Sequence, residues 1–156
     1  MRGELAVRIN DGTTDRHVTR YVRGLRFTKA APGGFHSASL ELNLPQAGKN
    51  YGWPIITHGI NYDGNPIPEA VGSSSPGMEQ PIKYWVPSIA PSGMAFYDSQ
   101  RVPPWYGSVF VGALALSHLN RLTLQGDNVV GEERLIDELG YRIRDVMVAP
   151  NGSLYV

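Results

Sequence analysis

The chain has 156 residues, the size of one ordinary domain, and its 42% apolar and 18% charged residues suit a globular protein able to bury a core. Fourteen Lys and Arg balance 14 Asp and Glu, so a formal net charge of zero gives neither a general nucleic-acid footprint nor attraction to an anionic membrane. The absence of cysteine excludes disulfides, thiolate metal sites and a Cys nucleophile. Met1-Arg2-Gly3-Glu4 is not followed by the apolar core of a signal peptide, and no segment approaches the roughly 20 apolar residues of a membrane span.

Gly (18) and Pro (12) are spread along the chain, and short apolar runs alternate with Gly, Pro, Asn and Asp turns, which predicts an all-β protein. Residues 5–9 alternate and break at Asn10-Asp11-Gly12, a hairpin signal. Residues 17–28 alternate again, with Val18, Tyr21, Leu25 and Phe27 as apolar members, and Ala31-Pro32-Gly33-Gly34 is another turn. Residues 37–44 read as a third strand with Ala38, Leu40, Leu42 and Leu44 on one face. Residues 1–40 thus read as a small β-meander of their own character, and 41–156 as a second piece.

Residues 46–82 form a long Gly/Pro-rich stretch, and loops of this length inside a compact domain are usually functional. Beyond it the chain becomes regular. Residues 93–97, 109–113, 119–124 and 134–136 are predicted as four short strands at even spacing, and 145–149 and 153–156 begin a second set. Four strands followed by a repeat of the pattern is the signature of a propeller blade, with about one and a half to two blades in view. The segment 131–139 is the one candidate for a short helix, although its apolar positions fit a strand edge almost as well. Val156 closes the chain inside an apolar strand, which implies truncation.

The most informative stretch is Tyr141-Arg142-Ile143-Arg144-Asp145-Val146. On a strand its two arginines point to the same side. They are either an outward, solvated pair or a site for a multiply charged anion, since the planar guanidinium fork grips carboxylates bidentately.

Several segments in order carry a family resemblance. They are Glu41-Leu42-Asn43-Leu44-Pro45-Gln46-Ala47-Gly48-Lys49-Asn50-Tyr51-Gly52-Trp53-Pro54, His58-Gly59-Ile60-Asn61-Tyr62-Asp63-Gly64, Glu79-Gln80-Pro81 to Tyr84-Trp85, and Ile89-Ala90-Pro91-Ser92-Gly93-Met94-Ala95-Phe96-Tyr97. Gly112-Ala113-Leu114 and Arg142-Ile143-Arg144-Asp145-Val146 complete the series. From about Glu41 to Val156 the chain resembles the soluble pyrroloquinoline-quinone (PQQ)-dependent aldose dehydrogenases, relatives of soluble glucose dehydrogenase. The resemblance implies a six-bladed β-propeller with PQQ at the mouth of its channel, calcium bound to the quinone, an aldose sugar as substrate, and a His from an earlier blade acting as base on the C1 hydroxyl. It also implies that Arg142 and Arg144 grip the quinone carboxylates and that Ser88, in the loop Pro87-Ser88-Ile89-Ala90-Pro91-Ser92, contacts the cofactor.

The departures bound this. The catalytic base, the calcium ligands and the other quinone ligands of the family lie upstream of the Gly-Lys-Asn-Tyr-Gly-Trp-Pro stretch, and nothing in residues 1–40 resembles them. The Lys that relatives often carry after the Gly-Ala-Leu strand is Ala115 here, and neither His58 nor His118 maps to the base. The expectation is a C-terminal fragment of the family that holds part of a cofactor site, has no catalytic residue of its own and is inactive alone. The resemblance implies a periplasmic parent enzyme.

Residues 24–28 and 31–40 resemble the opening β-region of some phage tail proteins, which leaves a structural or interaction module, or a chimeric fusion, as the other readings. Trp53, Trp85 and Trp105 are either sugar-stacking platforms or anchors between blades. Tyr51, Tyr62 and Asp63 fall in the long loop, where Asp63-Gly64 is first of all a turn. Glu132, Glu133, Asp137 and Glu138 read as a solvated acidic face rather than a calcium site, and His17 and His36 as surface residues. Ser88 and Ser92 have no His-Asp partners, so nucleophilic catalysis is not expected.

Overall fold

The computed structural model describes residues 40–61 and 64–156 in full, and three earlier strands by their backbone: β1 (Ala6–Asn10), β2 (Asp15–Val18) and β3 (Arg26–Lys29). The turns expected at 10–12 and 31–34, and Tyr21, Leu25, His36, Ala38, Tyr62 and Asp63, lie outside the described residues wholly or in part. Every regular element among the described residues is a strand or a short 3-10 turn, so the all-β expectation holds.

The chain divides into two compact units, residues 1–88 and 89–156. The expected join at 40/41 marks a change in sequence character, whereas this division marks packing. The sheet of the first unit crosses the 40/41 position. Its order is β2-β1-β3-β4-β5, with β4 at Leu40–Asn43 and β5 at Lys83–Trp85. β1 is antiparallel to β2 but parallel to β3, so the first three strands are not a simple meander. β4 is antiparallel to both of its neighbours. Glu41, Leu42 and Asn43 are all buried, so β4 is covered on both faces and not only on the Leu40/Leu42 side. A central strand covered on both sides loses the alternation that sequence reading depends on.

Between β4 and β5 the described residues of the expected irregular stretch 46–82 join no ladder strand, yet they are tied by their own contacts. Asn50 bridges to Met78 and Ile56 to Gly72. The Tyr51 hydroxyl donates to the Leu44 carbonyl at 2.7 Å and accepts from the Gln46 amide at 3.0 Å. Lys49 pairs with Glu79 at 2.8 Å. Ile56 and Ile67 are buried beneath the loop. Gly52 has φ of +81°, and a Cβ there would lie 2.0 Å from Ile56 Cγ1, so the turn accepts no other residue without repacking.

The second unit is a four-stranded antiparallel sheet in chain order, β6 (Pro91–Phe96), β7 (Val109–Ala113), β8 (Leu119–Gln125) and β9 (Asn128–Leu135), followed by the hairpin β10 (Met147–Val148) and β11 (Leu154–Tyr155). β7 is buried along its whole length, β8 for about half, and β9 only in part. Edge position explains the charges on β9, since Glu132, Glu133 and Arg134 discourage pairing with another strand. For the segment 131–139, which suited a short helix or a strand edge almost equally, the strand edge is what forms. Its first half is the end of β9, and only Asp137–Leu139 form a 3-10 turn, closed by Gly140 at φ +65°. The core gathers Ala95, Tyr97, Phe110, Leu119, Ile143 and Val146, with Trp105 packed edge-on to Tyr97 and Phe110.

Candidate functional site

After Gly140 the chain runs through Tyr141-Arg142-Ile143-Arg144-Asp145-Val146 without joining a ladder, so the strand expected for the arginines is not formed. Ile143, between them, is only 7% exposed and sits in the core, while Arg142 and Arg144 are both exposed. Ile143 is held at three points. Its amide donates to the Ala113 carbonyl at 3.2 Å, its carbonyl accepts from the Ser92 hydroxyl at 2.6 Å, and its side chain is buried among Tyr97, Phe110 and Val146. One turn on, the Val146 amide donates to the Asp145 carboxylate at 3.0 Å, and the Val146 side chain is buried.

Two glycines admit this segment. A Cβ on Gly93 would lie 2.5 Å from Asp145 Cα and 2.7 Å from the Val146 nitrogen. On Gly112 it would lie 2.7 Å from Ser92 Oγ and 2.9 Å from Ile143 Cγ2. β6 and β7 thus carry glycine where the arginine segment presses closest, a use of glycine that strands otherwise disfavour. Neither glycine is singled out by sequence alone, although Gly112 inside the run Val109-Phe110-Val111 is the visible hint.

The remaining candidates fall into place one by one. Ser88 is buried and is the last residue of the first unit, whereas the arginines belong to the second. Ser92, considered in sequence only as a nucleophile, is a buried donor to main-chain carbonyls. Trp105 is a core anchor, Trp85 is buried with Lys83 Nζ 5.8 Å from its ring, and only Trp53 is exposed. His58 stacks on Tyr84 with ring centroids 3.9 Å apart. Glu132 accepts from Asn120 at 2.7 Å and Glu133 pairs with Arg121, so half of the acidic cluster is engaged in the sheet. Among the described residues no three His, Cys, Asp or Glu come together as a metal site.

His118 ends the β7–β8 loop, in which Leu116 (φ +64°) and Ser117 (φ +44°) take left-handed conformations that non-glycine residues rarely adopt. Its Nδ1 lies 3.2 Å from the Leu116 carbonyl, which can only accept, so Nδ1 carries the proton. Nε2 is then a buried acceptor with no partner. Burial pushes the imidazole pKa below its ordinary 6.5, against the raising influence of the Leu116 carbonyl.

Comparison with known proteins comes down on one family. Residues 37–156 match the family described as Glucose / Sorbosone dehydrogenase. The chain is 50% identical over 116 residues to aldose sugar dehydrogenase YliI of Escherichia coli (strain K12), covering 74% of this chain and 31% of that protein. It is 41% identical over 116 residues to an uncharacterized protein of Synechocystis, covering 74% of this chain and 28% of that one. A crystal structure of glucose dehydrogenase overlays with a TM-score of 0.75 at 47% identity, over 92% of this chain and 44% of that chain. The apo form of the soluble aldose sugar dehydrogenase from Escherichia coli overlays with a TM-score of 0.74 at 46% identity, over 82% of this chain and 37% of that chain. The chain therefore spans less than a third of the length of the curated relatives it matches.

Proposed function

The chain belongs to the glucose/sorbosone dehydrogenase family, and from that premise we propose that it is the C-terminal part of a PQQ-dependent aldose sugar dehydrogenase, contributing the arginine pair that holds the cofactor's carboxylates. The supporting observation is local: two exposed arginine residues flank one locked, buried residue without strand pairing. The donor set suits a ligand bearing several carboxylates, because each planar fork can make two parallel charge-assisted bonds. When bound, PQQ would take up the hydride released from the sugar C1. The part of Arg142 and Arg144 is to bind, to offset the carboxylate charge and to orient. No residue of this chain is assigned to calcium in this reading.

In the same reading β6 to β9 make one propeller blade and β10–β11 open the next. This is supported by the consecutive antiparallel order of the four strands and by the overlay on glucose dehydrogenase.

The test is calorimetric titration of the purified chain with PQQ, with and without calcium, beside an Arg142→Ala/Arg144→Ala control. Saturable binding that disappears in the control is the expected result. A folded chain that binds no PQQ sinks the proposal.

A further inference from the structure

We propose that Ser92 is the positioning residue of Arg144 within the arginine pair: its buried hydroxyl fixes the Ile143–Arg144 peptide and thereby sets the direction in which the Arg144 guanidinium reaches. This rests on the reading of the pair as a carboxylate anchor and adds to it a residue that touches no ligand.

The geometry is specific. Ser92 Oγ lies 2.6 Å from the Ile143 carbonyl oxygen and 3.1 Å from that of Gly112, and the residue is buried. A hydroxyl has one proton to donate, so the shorter contact, to Ile143, is the principal bond. The other backbone tie of Ile143, its amide to the Ala113 carbonyl, is long at 3.2 Å. Removing the hydroxyl leaves a buried carbonyl without its donor. The carbonyl regains a partner only by turning, and the peptide plane it belongs to leads directly into Arg144. Gly112 leaves the room that Ser92 occupies, since a Cβ there would come within 2.7 Å of Oγ. The side chain of Ile143 can stay in the core through such a turn, so the effect falls on Arg144 before it falls on the fold.

The experiment compares the full chain with Ser92→Ala and Ser92→Cys by amide hydrogen exchange and by PQQ titration, each also in an Arg144→Ala background. In Ser92→Ala the Ile143 amide is expected to exchange about tenfold faster, with β7–β8 ladder amides unchanged. The PQQ Kd is expected to rise about fivefold, the loss of one neutral hydrogen bond. Ser92→Cys keeps a side-chain donor, weaker and somewhat larger, and should fall between, which covers the case of an alanine variant that does not fold. The loss of affinity should vanish once Arg144 is already alanine, because the serine acts through it. Unchanged exchange at Ile143, or an affinity loss that persists in the Arg144→Ala background, overturns the proposal. A wild-type chain that binds no PQQ sinks the cofactor reading instead, and the exchange result alone then judges the clamp.

Discussion

Gly93→Ala is the sharpest probe of how the arginine segment is seated. The added methyl would sit 2.3 Å from Asp145 Oδ1, 2.5 Å from Asp145 Cα and 2.7 Å from the Val146 nitrogen. Carbon contacts settle at about 3.5–4.0 Å, so the backbone at 145–146 must retreat by about 1 Å. Two of the three obstructing atoms are main chain, and no rotamer change relieves them. Overpacking of this kind costs about 1–3 kcal/mol. Val146 is 2% exposed and moves with the segment, and partial loss of its burial adds about 1 kcal/mol. The total of about 2–4 kcal/mol corresponds to a Tm lower by about 5–15 °C for a chain of this size. Gly131→Ala is the control: its Cβ would meet only Thr123 at 3.4 Å, and alanine removes the extra unfolded-state freedom of glycine. Its Tm should stay within about 2 °C of wild type or rise. Paired thermal melts followed by circular dichroism decide the matter. A Gly93→Ala chain as stable as Gly131→Ala would refute the close seating of Asp145 and Val146 on β6.

The arginine pair, if each side chain makes one charge-assisted bond to PQQ, should lose about 3–6 kcal/mol of binding in Arg142→Ala/Arg144→Ala, a Kd higher by at least about a hundredfold in the titration described above. The PQQ-loaded chain given an aldose and an electron-accepting dye should reduce no dye above background, since the family resemblance assigns the base and metal ligands to none of its residues; calcium-dependent reduction would overturn this. His118 gives a pH dependence whose sign follows from its depressed pKa. The unfolded chain binds the proton first, near the ordinary 6.5, so the His118 contribution to stability is complete above that pH and is lost as pH falls through 6.5 toward the folded value. Urea melts from pH 7.5 to 5 should show this slope in wild type and a flatter one in His118→Gln; equal slopes would mean that the imidazole titrates normally.

The sequence reveals the second unit better than the first, and the reason is physical. β7 and β8 are short apolar runs closed by turn residues, and the Gly126-Asp127 loop between Gln125 and Asn128 is an ordinary two-residue hairpin signal. Their bounds are accordingly legible to within a residue. β9 is not, because an edge strand with Glu132, Glu133 and Arg134 carries no apolar alternation and mimics a charged helix. β5 is hidden because it is three residues long, and only pairing with β4 makes Lys83-Tyr84-Trp85 a strand. At the candidate site the two arginines are legible as a pair two residues apart. The serine and glycines that seat them are not, since Ser92 and Gly112 are separated from Ile143 by 51 and 31 positions and meet it only in the fold.

Holding the arginines off the ladder has a consequence for binding. Had residues 141–146 paired as a strand, neighbouring strands would have supplied side chains on both flanks of each guanidinium, and part of its hydration would be lost before any ligand arrived. In the observed arrangement Ile143 carries the burial between the two arginines, and both arginine residues are exposed. An exposed pair normally contributes little, because two long side chains must be ordered when the ligand binds. Fixing the backbone between them reduces that ordering to the side-chain torsions. In the proposed reading, three ties on one residue, from Ala113, from Ser92 and from the core, are what would separate a preorganised anion fork from two arginines that merely share a surface.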